Sequence, residues 1–352
     1  MLDRAAAIST AGPALSVVLP NYNHAQYLPR ALDALLSQAQ PPAEIIVVDD
    51  CSTDGSRDIV ERYSTRHRFI RLLTNERNVG VIPTLSRGLG EARGQLVYFG
   101  AADDFVLPGF FEAAIKMLQT YPQAGLFFGD ASLVEGQSGR SLGVRPPVRP
   151  RYSAGFIDAS AIARLLRRND NFVVTGAAVF RRDAIVSAGG FQNELSTFAD
   201  GYLVRKIALM RGLCYAPIAV MTWCVFSGGV SRTTSTRPER AKQLLTTIVS
   251  RLATDPAFPD WYADVFKRRW HFSTARLALE ESPVNRELLI DMGAQTSADR
   301  AALNFFLNTF GRKTARLLAL GWLWQRYRPF SLVGLATTST ARWIGALFGK
   351  PR

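Results

Sequence analysis

Cysteine and histidine are scarce, with three of each in 352 residues. Cys51, Cys214 and Cys224 are too few and too scattered for a disulfide framework or a Cys-x-x-Cys zinc site, so a reducing compartment is the default expectation. His24, His67 and His271 have no cysteine or histidine at ligand spacing, which argues against a histidine-built metal site. No window reaches about 18 uninterrupted apolar residues, so no clear membrane-spanning helix is expected. The opening MLDRAAAIST lacks the apolar stretch of a secretory signal. P-loop, GxGxxG and Ser-His-Asp patterns are also missing. What is plentiful is apolar surface, 47% of residues with 11% aromatic. That excludes a disordered chain, and the length suggests about two domains.

Acid is missing from one place. The formal net charge is +13, yet residues 1–100 carry ten basic and ten acidic groups, and residues 241–300 eight of each. Residues 101–240 hold sixteen basic and eleven acidic groups, a surplus of +5. Residues 301–352 hold eight basic groups and no Asp or Glu. A nucleic-acid binder more often spreads a basic stripe over its folded body, so no nucleic-acid partner is expected, although the pI of about 10.1 keeps that alternative in view. In the tail, the apolar run Leu317 to Trp324 lies between Arg316 and Arg326, and Trp322, Trp324 and Trp343 stand among arginines. Aromatic and basic residues together suit the headgroup region of an anionic membrane, so contact through 312–348 is expected. The other reading is a helical pair packed on the body with solvated arginines.

Along the chain, Leu15–Pro20 reads as a strand buried on both faces and Ala25–Gln38 as an amphipathic helix. Glu44–Asp49 is a second buried strand, and Asp54–Tyr63 restarts a helix with Ser52 or Asp54 as N-cap. Phe69–Leu73 and Gln95–Phe99 read as strands around a helix at Val81–Ala92. This alternation predicts an α/β fold with a doubly wound, mostly parallel sheet. Residues 136–155 read as loop, Phe172–Phe180 as a strand, Arg182–Ala188 and Asp200–Arg211 as helices, and everything from about 240 as helical.

In doubly wound sheets ligands bind beyond the carboxyl ends of the strands. There lie Asp49–Asp50 and Asp103–Asp104, two carboxylate pairs without a histidine, which point to an oxygen-ligated Mg²⁺ or Mn²⁺ bridging a diphosphate. Adjacent like charges without a cation or donors would cost stability. Asp54 is read as a helix cap, and Asp130 as the end of a strand.

The strings SVVLPNYN (16–23), IIVVDDCSTDGS (45–56), NVG (78–80) and GQLVYFGAADDFVLPGF (94–110) resemble family 2 glycosyltransferases of the GT-A fold. The resemblance continues through FFGD (127–130), GAAVFRR (176–182), GGF (189–191) and FADGYLVRKIALMRG (198–212), in order, over roughly 15–230. It implies a GT-A domain over 14–238, with a nucleotide-sugar half at 14–135 and an acceptor half at 136–238. An N-terminal tail, 1–13, precedes it, and a helical region, 239–352, follows. Pro20 and Tyr22 would flank the nucleotide base and Asp50 would hydrogen-bond its edge, which suits uracil. Asp103 would meet the sugar or ribose, Asp104 the metal, and Asp200 would be the catalytic base, with Glu194 a rival. Ala101 and Ala199 stand where relatives often carry another acid, which leaves a catalytically degenerate scaffold as an alternative. The implied activity is inverting transfer from a nucleotide sugar, UDP-linked by preference, to a glycan or lipid-linked acceptor. The implied setting is cell-surface polysaccharide synthesis by a cytoplasmic protein peripheral to the inner membrane face.

Overall fold

The computed structural model describes residues 13–146, 148–170, 172–226 and 237–329. The described residues fall into two compact units, one from 13–165, 170–193 and 199–226, the other from 166–169, 194–198 and 237–329.

The first unit is built on a mixed sheet. Strands β1 (Leu15–Asn21), β2 (Glu44–Asp49), β3 (Ile70–Thr74) and β4 (Leu96–Phe99) run parallel in the order β3-β2-β1-β4. Their apolar runs are buried on both faces because helices cover each side: Val17, Val18, Ile45, Ile46, Val47, Leu96 and Val97 are all 0% exposed. Helix α1 (Leu28–Leu36) begins three residues later than its periodicity suggests. Pro29 stands in its first turn, where a missing N–H costs nothing. Leu28, Ala31, Leu32 and Leu35 form its buried face. Helices α2 (Ser56–Arg66), α3 (Val81–Glu91) and α4 (Phe110–Thr120) complete this half.

Beyond β4 the sheet stops being parallel. Strand β9 (Ala178–Arg181) runs antiparallel to both β4 and β6 (Leu126–Glu135). The strand expected over 172–180 is thus short, and Thr175–Ala177 forms a 3₁₀ turn before it. Strand β10 (Leu213–Val225) lies parallel to β6 and antiparallel to the two-residue β5 (Phe105–Val106) and to β8 (Gly155–Ile157). Its register with β6 shifts between Tyr215 and Ala219, where Pro217 removes a ladder donor. The supposed loop at 136–155 contains β7 (Ser141–Arg145), an exposed strand paired to the far half of β6. Its Gly, Ser and Arg content hides it from propensity, since an edge strand needs no apolar face. Asp130 lies inside β6 and does not end it. Helices α5 (Ala159–Arg168), α6 (Arg182–Ser187) and α7 (Ala199–Arg211) supply the remaining cover.

The second unit is helical among the described residues: α8 (Pro238–Thr254), α9 (Tyr262–Glu280), α10 (Arg286–Gly293), α11 (Ser297–Thr309) and α12 (Arg312–Tyr327). Helix α9 packs on α8, α10 and α12. Its Arg269, 5% exposed, donates to the carbonyls of Leu166 (2.6 Å), Arg167 (2.8 Å) and Pro329 (2.9 Å), tying down three backbone acceptors. Thr296 and Asp299 form a capping box on α11, and Asp299 also receives Trp322 Nε1 and Arg326 Nε from α12.

Helix α3 approaches the sheet closely through Gly88. A Cβ there would run into Val18 Cγ1 and come within 3.1 Å of Val48 Cγ2, both in the fully buried core. Gly88→Ala is therefore expected to lower stability by about 1–3 kcal/mol, although alanine favours helix by about 1 kcal/mol. A urea midpoint equal to or above wild type would remove this packing argument.

Candidate active site

Because β1, β2 and β4 are parallel, their carboxyl ends share one edge of the sheet. The chain leaves β1 as Tyr22–Asn23, β2 as Asp50–Cys51, and β4 as Gly100 to Asp104. Tyr22 is 45% exposed, available as an aromatic face, and Pro20 before it is half-buried. Strand β9 runs the opposite way, pairing Val179 with Tyr98, so the turn before β9 lies at the edge where β4 ends. That turn carries Thr175, which hydrogen-bonds the Asp200 carboxylate at the start of α7. Topology thus brings Pro20, Tyr22, Asp50, Asp103, Asp104 and Asp200 to one side of the sheet.

The carboxylates there live in different surroundings. Asp49, 0% exposed, receives Asn21 Nδ2 (2.8 Å), the Ser52 N–H (2.9 Å) and Arg57 Nε (2.8 Å). Burial pushes this carboxyl up, but hydrogen bonds from Ser52, Arg57 and Asn21 outweigh it and hold the group below the ordinary carboxylate range. Asp50, 3% exposed, receives Asn75 Nδ2 (2.7 Å) and the N–H groups of Val79 (2.9 Å) and Gly80 (2.8 Å), which pins the turn before α3. With about four acceptor positions on a carboxylate, one remains for an incoming N–H. The Asp49–Asp50 pair therefore needs no cation, contrary to the expectation from adjacent like charges, because protein donors surround it. Asp54 accepts from Ser56 N and Oγ and from Ala25 N, so it braces two loops, while Gly55 occupies the N-cap position of α2.

Asp103–Asp104 is the other case. Asp104 Oδ1 accepts the Cys224 N–H at 2.8 Å. Burial, then the negative charge of Asp103, push Asp104 up to about 8, against the pull of that N–H and of Arg30. Arg30 itself lies over the Phe105 ring at 4.2 Å and donates to Cys224 Sγ at 3.1 Å. A hard divalent cation suits this oxygen donor pair, since it supplies the positive charge the pair lacks and accepts one or two carboxylates plus substrate phosphates. Among the described residues no three His, Cys, Asp or Glu side chains form a metal cluster.

Asp200 is desolvated, and burial pushes its carboxyl up; the Gly201 N–H, Thr175 and the charge of Arg205 restore only part. Glu194 is exposed. Further along, Asp130, 1% exposed, accepts Tyr215 Oη (2.6 Å), Arg149 Nη2 (2.6 Å) and Arg149 Nε (2.9 Å). Trp223 is 38% exposed on β10, whereas Gly228, Gly229 and Ser231 lie outside the described residues. Arg30, Asn75 and Thr175 were not singled out from the sequence. Arg30 reads there as one more surface helix cation, and Thr175 sits one residue before the recognisable GAAVFRR string.

Residues 16–187 match the sequence model described as glycosyl transferase family 2. That stretch belongs to family 2 of the glycosyltransferases. TuaG of Bacillus subtilis, named for teichuronic acid biosynthesis, is 38% identical over 92 residues, 26% of this chain and 36% of TuaG. An uncharacterized Mycobacterium tuberculosis protein is 28% identical over 217 residues, 60% of this chain and 66% of that protein. The matched stretches therefore span between 36% and 66% of these two relatives. Among solved structures, S. aureus TarS 1–349 with UDP-GlcNAc aligns with a TM-score of 0.62 at 19% identity, covering 90% of this chain and 91% of TarS 1–349. The mannosyltransferase PcManGT of Pyrobaculum calidifontis, with GDP-Man and Mn²⁺, aligns at 0.56 and 23% identity, covering 97% and 89%. The fold is GT-A, with C-terminal helices. Among the described residues no helix is long and apolar enough to cross a membrane.

Asp49 gives the family 2 domain a pH-dependent contribution to stability. Its folded pKa lies below the ordinary carboxylate value of 3.8, so the stabilisation is present above that value and is lost as pH falls through the folded one. Asp49→Ala is expected to cost about 2–3 kcal/mol at neutral pH, because it strands buried donors, and to lessen the loss of stability on acidification. Parallel stability–pH curves for wild type and variant would contradict this.

Proposed function

We propose that the chain is an inverting glycosyltransferase that moves a sugar from a nucleotide-diphospho sugar to a hydroxyl of a glycan or lipid-linked acceptor of a cell-surface polysaccharide. The observation that carries this is the Asp200 carboxylate, pushed up by burial, at the sheet edge where Asp103 and the raised Asp104 also lie. In the proposed reaction Asp200 takes the proton from the acceptor hydroxyl, whose oxygen attacks the anomeric carbon while the bond to the nucleoside diphosphate breaks. A base whose pKa sits above the usual carboxylate range is better matched to that proton. Tyr22 and Pro20 flank the base, the remaining acceptor position of Asp50 takes its N–H, and Asp103 meets the sugar or ribose. Asp104, with Asp103 beside it, would hold a Mg²⁺ or Mn²⁺ ion, which would supply positive charge against the diphosphate leaving group.

UDP as the nucleotude moiety is favoured by the Asp50 acceptor, which suits the uracil N–H, and by the bound UDP-GlcNAc of TarS. PcManGT binds GDP-Man with Mn²⁺, so the metal reading has a precedent of like fold. The name of TuaG supports a cell-surface polysaccharide. The setting proposed is the cytoplasmic face of the cell membrane, where lipid-linked acceptors are exposed.

Asp200→Asn is expected to lower kcat by about 10²–10⁴ while leaving nucleotide affinity within about twofold. Full turnover would remove Asp200 from the mechanism, and donor binding without turnover by the wild type would favour a non-catalytic scaffold. The Thr175 hydrogen bond stabilises ionised Asp200, so Thr175→Val raises that pKa further. The acid limb of the kcat/KM profile is expected to lie above the ordinary carboxylate range in the wild type and to move upward in the variant. An unmoved limb would show that another group sets it.

A further inference from the structure

The helical unit carries a surface that sugar transfer does not use. Helices α11 and α12 form a hairpin, and α12 buries Ala315, Ala319, Leu323 and Tyr327 at four-residue spacing. The opposite face of such a helix is ordinarily polar. Here it presents Leu317, 71% exposed, and Leu318, 37% exposed. On the other arm Phe305 is 55% exposed and Phe310 38%, their rings 5.9 Å apart and edge to face. At a rise of about 1.5 Å per residue, all four lie within about 10 Å of the Gly311 turn along the helix axes.

The cations around this end are placed unusually. Arg312 and Lys313 open α12, whose first turn holds no acid. Positive charge at a helix N-terminus opposes the helix dipole, so these residues are not there for helix stability. Both are exposed, and among the described residues neither makes an ion pair, whereas Arg316 donates to the Glu281 carbonyl and Arg326 pairs with Asp299. After Asp299 the sequence contains no further acid.

We propose that this hairpin end docks on an anionic membrane surface, with Phe305, Phe310, Leu317 and Leu318 entering the headgroup region and Arg312 and Lys313 meeting lipid phosphates. Exposed aromatic and aliphatic side chains beside unpaired cations match the chemistry of that interface. A second copy of the chain fits poorly, because a two-fold contact through this patch would bring like charges together. Nucleic acid would leave the leucines and phenylalanines unsatisfied. The proposal deepens the functional reading, since it holds a transferase where lipid-linked acceptors lie, but the docking itself needs no catalysis.

The test uses the full chain and phosphatidylcholine vesicles with and without phosphatidylglycerol, read by co-sedimentation. Wild type is expected to partition onto the anionic vesicles. Leu317→Ser with Leu318→Ser should weaken this at least about tenfold, and Arg312→Gln with Lys313→Gln about fivefold for each charge removed. Circular dichroism and nucleotide-sugar hydrolysis in vesicle-free buffer should match wild type. Vesicle binding undiminished in both variants overturns the proposal, as does a wild-type dimer that ignores vesicles and that the serine variant splits. If the serine variant loses helicity, the charge variant decides alone, and unchanged anionic binding by it is an overturning result. Loss of vesicle binding with hydrolysis intact concerns docking only; vesicle binding without hydrolysis would instead count against the catalytic reading.

Discussion

Carboxylates at the end of a buried sheet must find compensation within a few ångströms, because the core behind them offers none. How each one finds it organises the first unit. Asp49 is met by Asn21, Ser52 and Arg57, which fastens the loops after β1 and β2 to α2. Asp50 is met by Asn75 and two backbone N–H groups, which sets the turn into α3. Asp104 has one backbone donor from β10, and Asp200 sits desolvated beside Thr175. The first two are structural anchors with their charge answered by protein. Asp104 and Asp200 keep a deficit that an incoming cation or proton can answer, which is why chemistry is assigned to them.

Much of this was legible in the sequence for identifiable reasons. β1, β2 and β4 are buried on both faces, so their apolar runs announce them, and the acids that end them stand out against those runs. β7 is exposed and rich in glycine and arginine, so nothing in composition separates it from loop. β10 carries a proline inside a strand, which a register shift accommodates only once β6 lies beside it. The carboxylate pairs look alike in sequence, but Asn21, Ser52, Arg57, Asn75, Val79 and Gly80 all donate to Asp49 or Asp50, whereas Asp104 is met by the Cys224 N–H, 120 positions away. Arg30 and Thr175 acquire meaning only through partners distant in the chain.

The helical unit follows a different logic. Its helices are held by a few polar fasteners, Arg269 on three carbonyls and Asp299 on the start of α11 and the side chains of α12, set among apolar contacts. Trp322 and Arg326, which look like interfacial residues in sequence, have partners inside this unit. Leu317 and Leu318, from the same apolar run, are the exposed ones. The calls on Trp343 and on the rest of 330–352 lie outside the described residues.

The antiparallel strand β9 has a further meaning for how such a protein can change. Its ladder to β4 pairs Tyr98 with Val179, Val97 with Phe180 and Leu96 with Arg181, so the turn bearing Thr175 is located by backbone bonds to the strand that ends near Asp103 and Asp104. The intervening chain, with β7, β8 and α5, has no part in that ladder. That stretch can diverge, by insertion or replacement, while Thr175 and the end of β4 keep their mutual register. Variation and fixed geometry thereby fall to separate stretches of one chain.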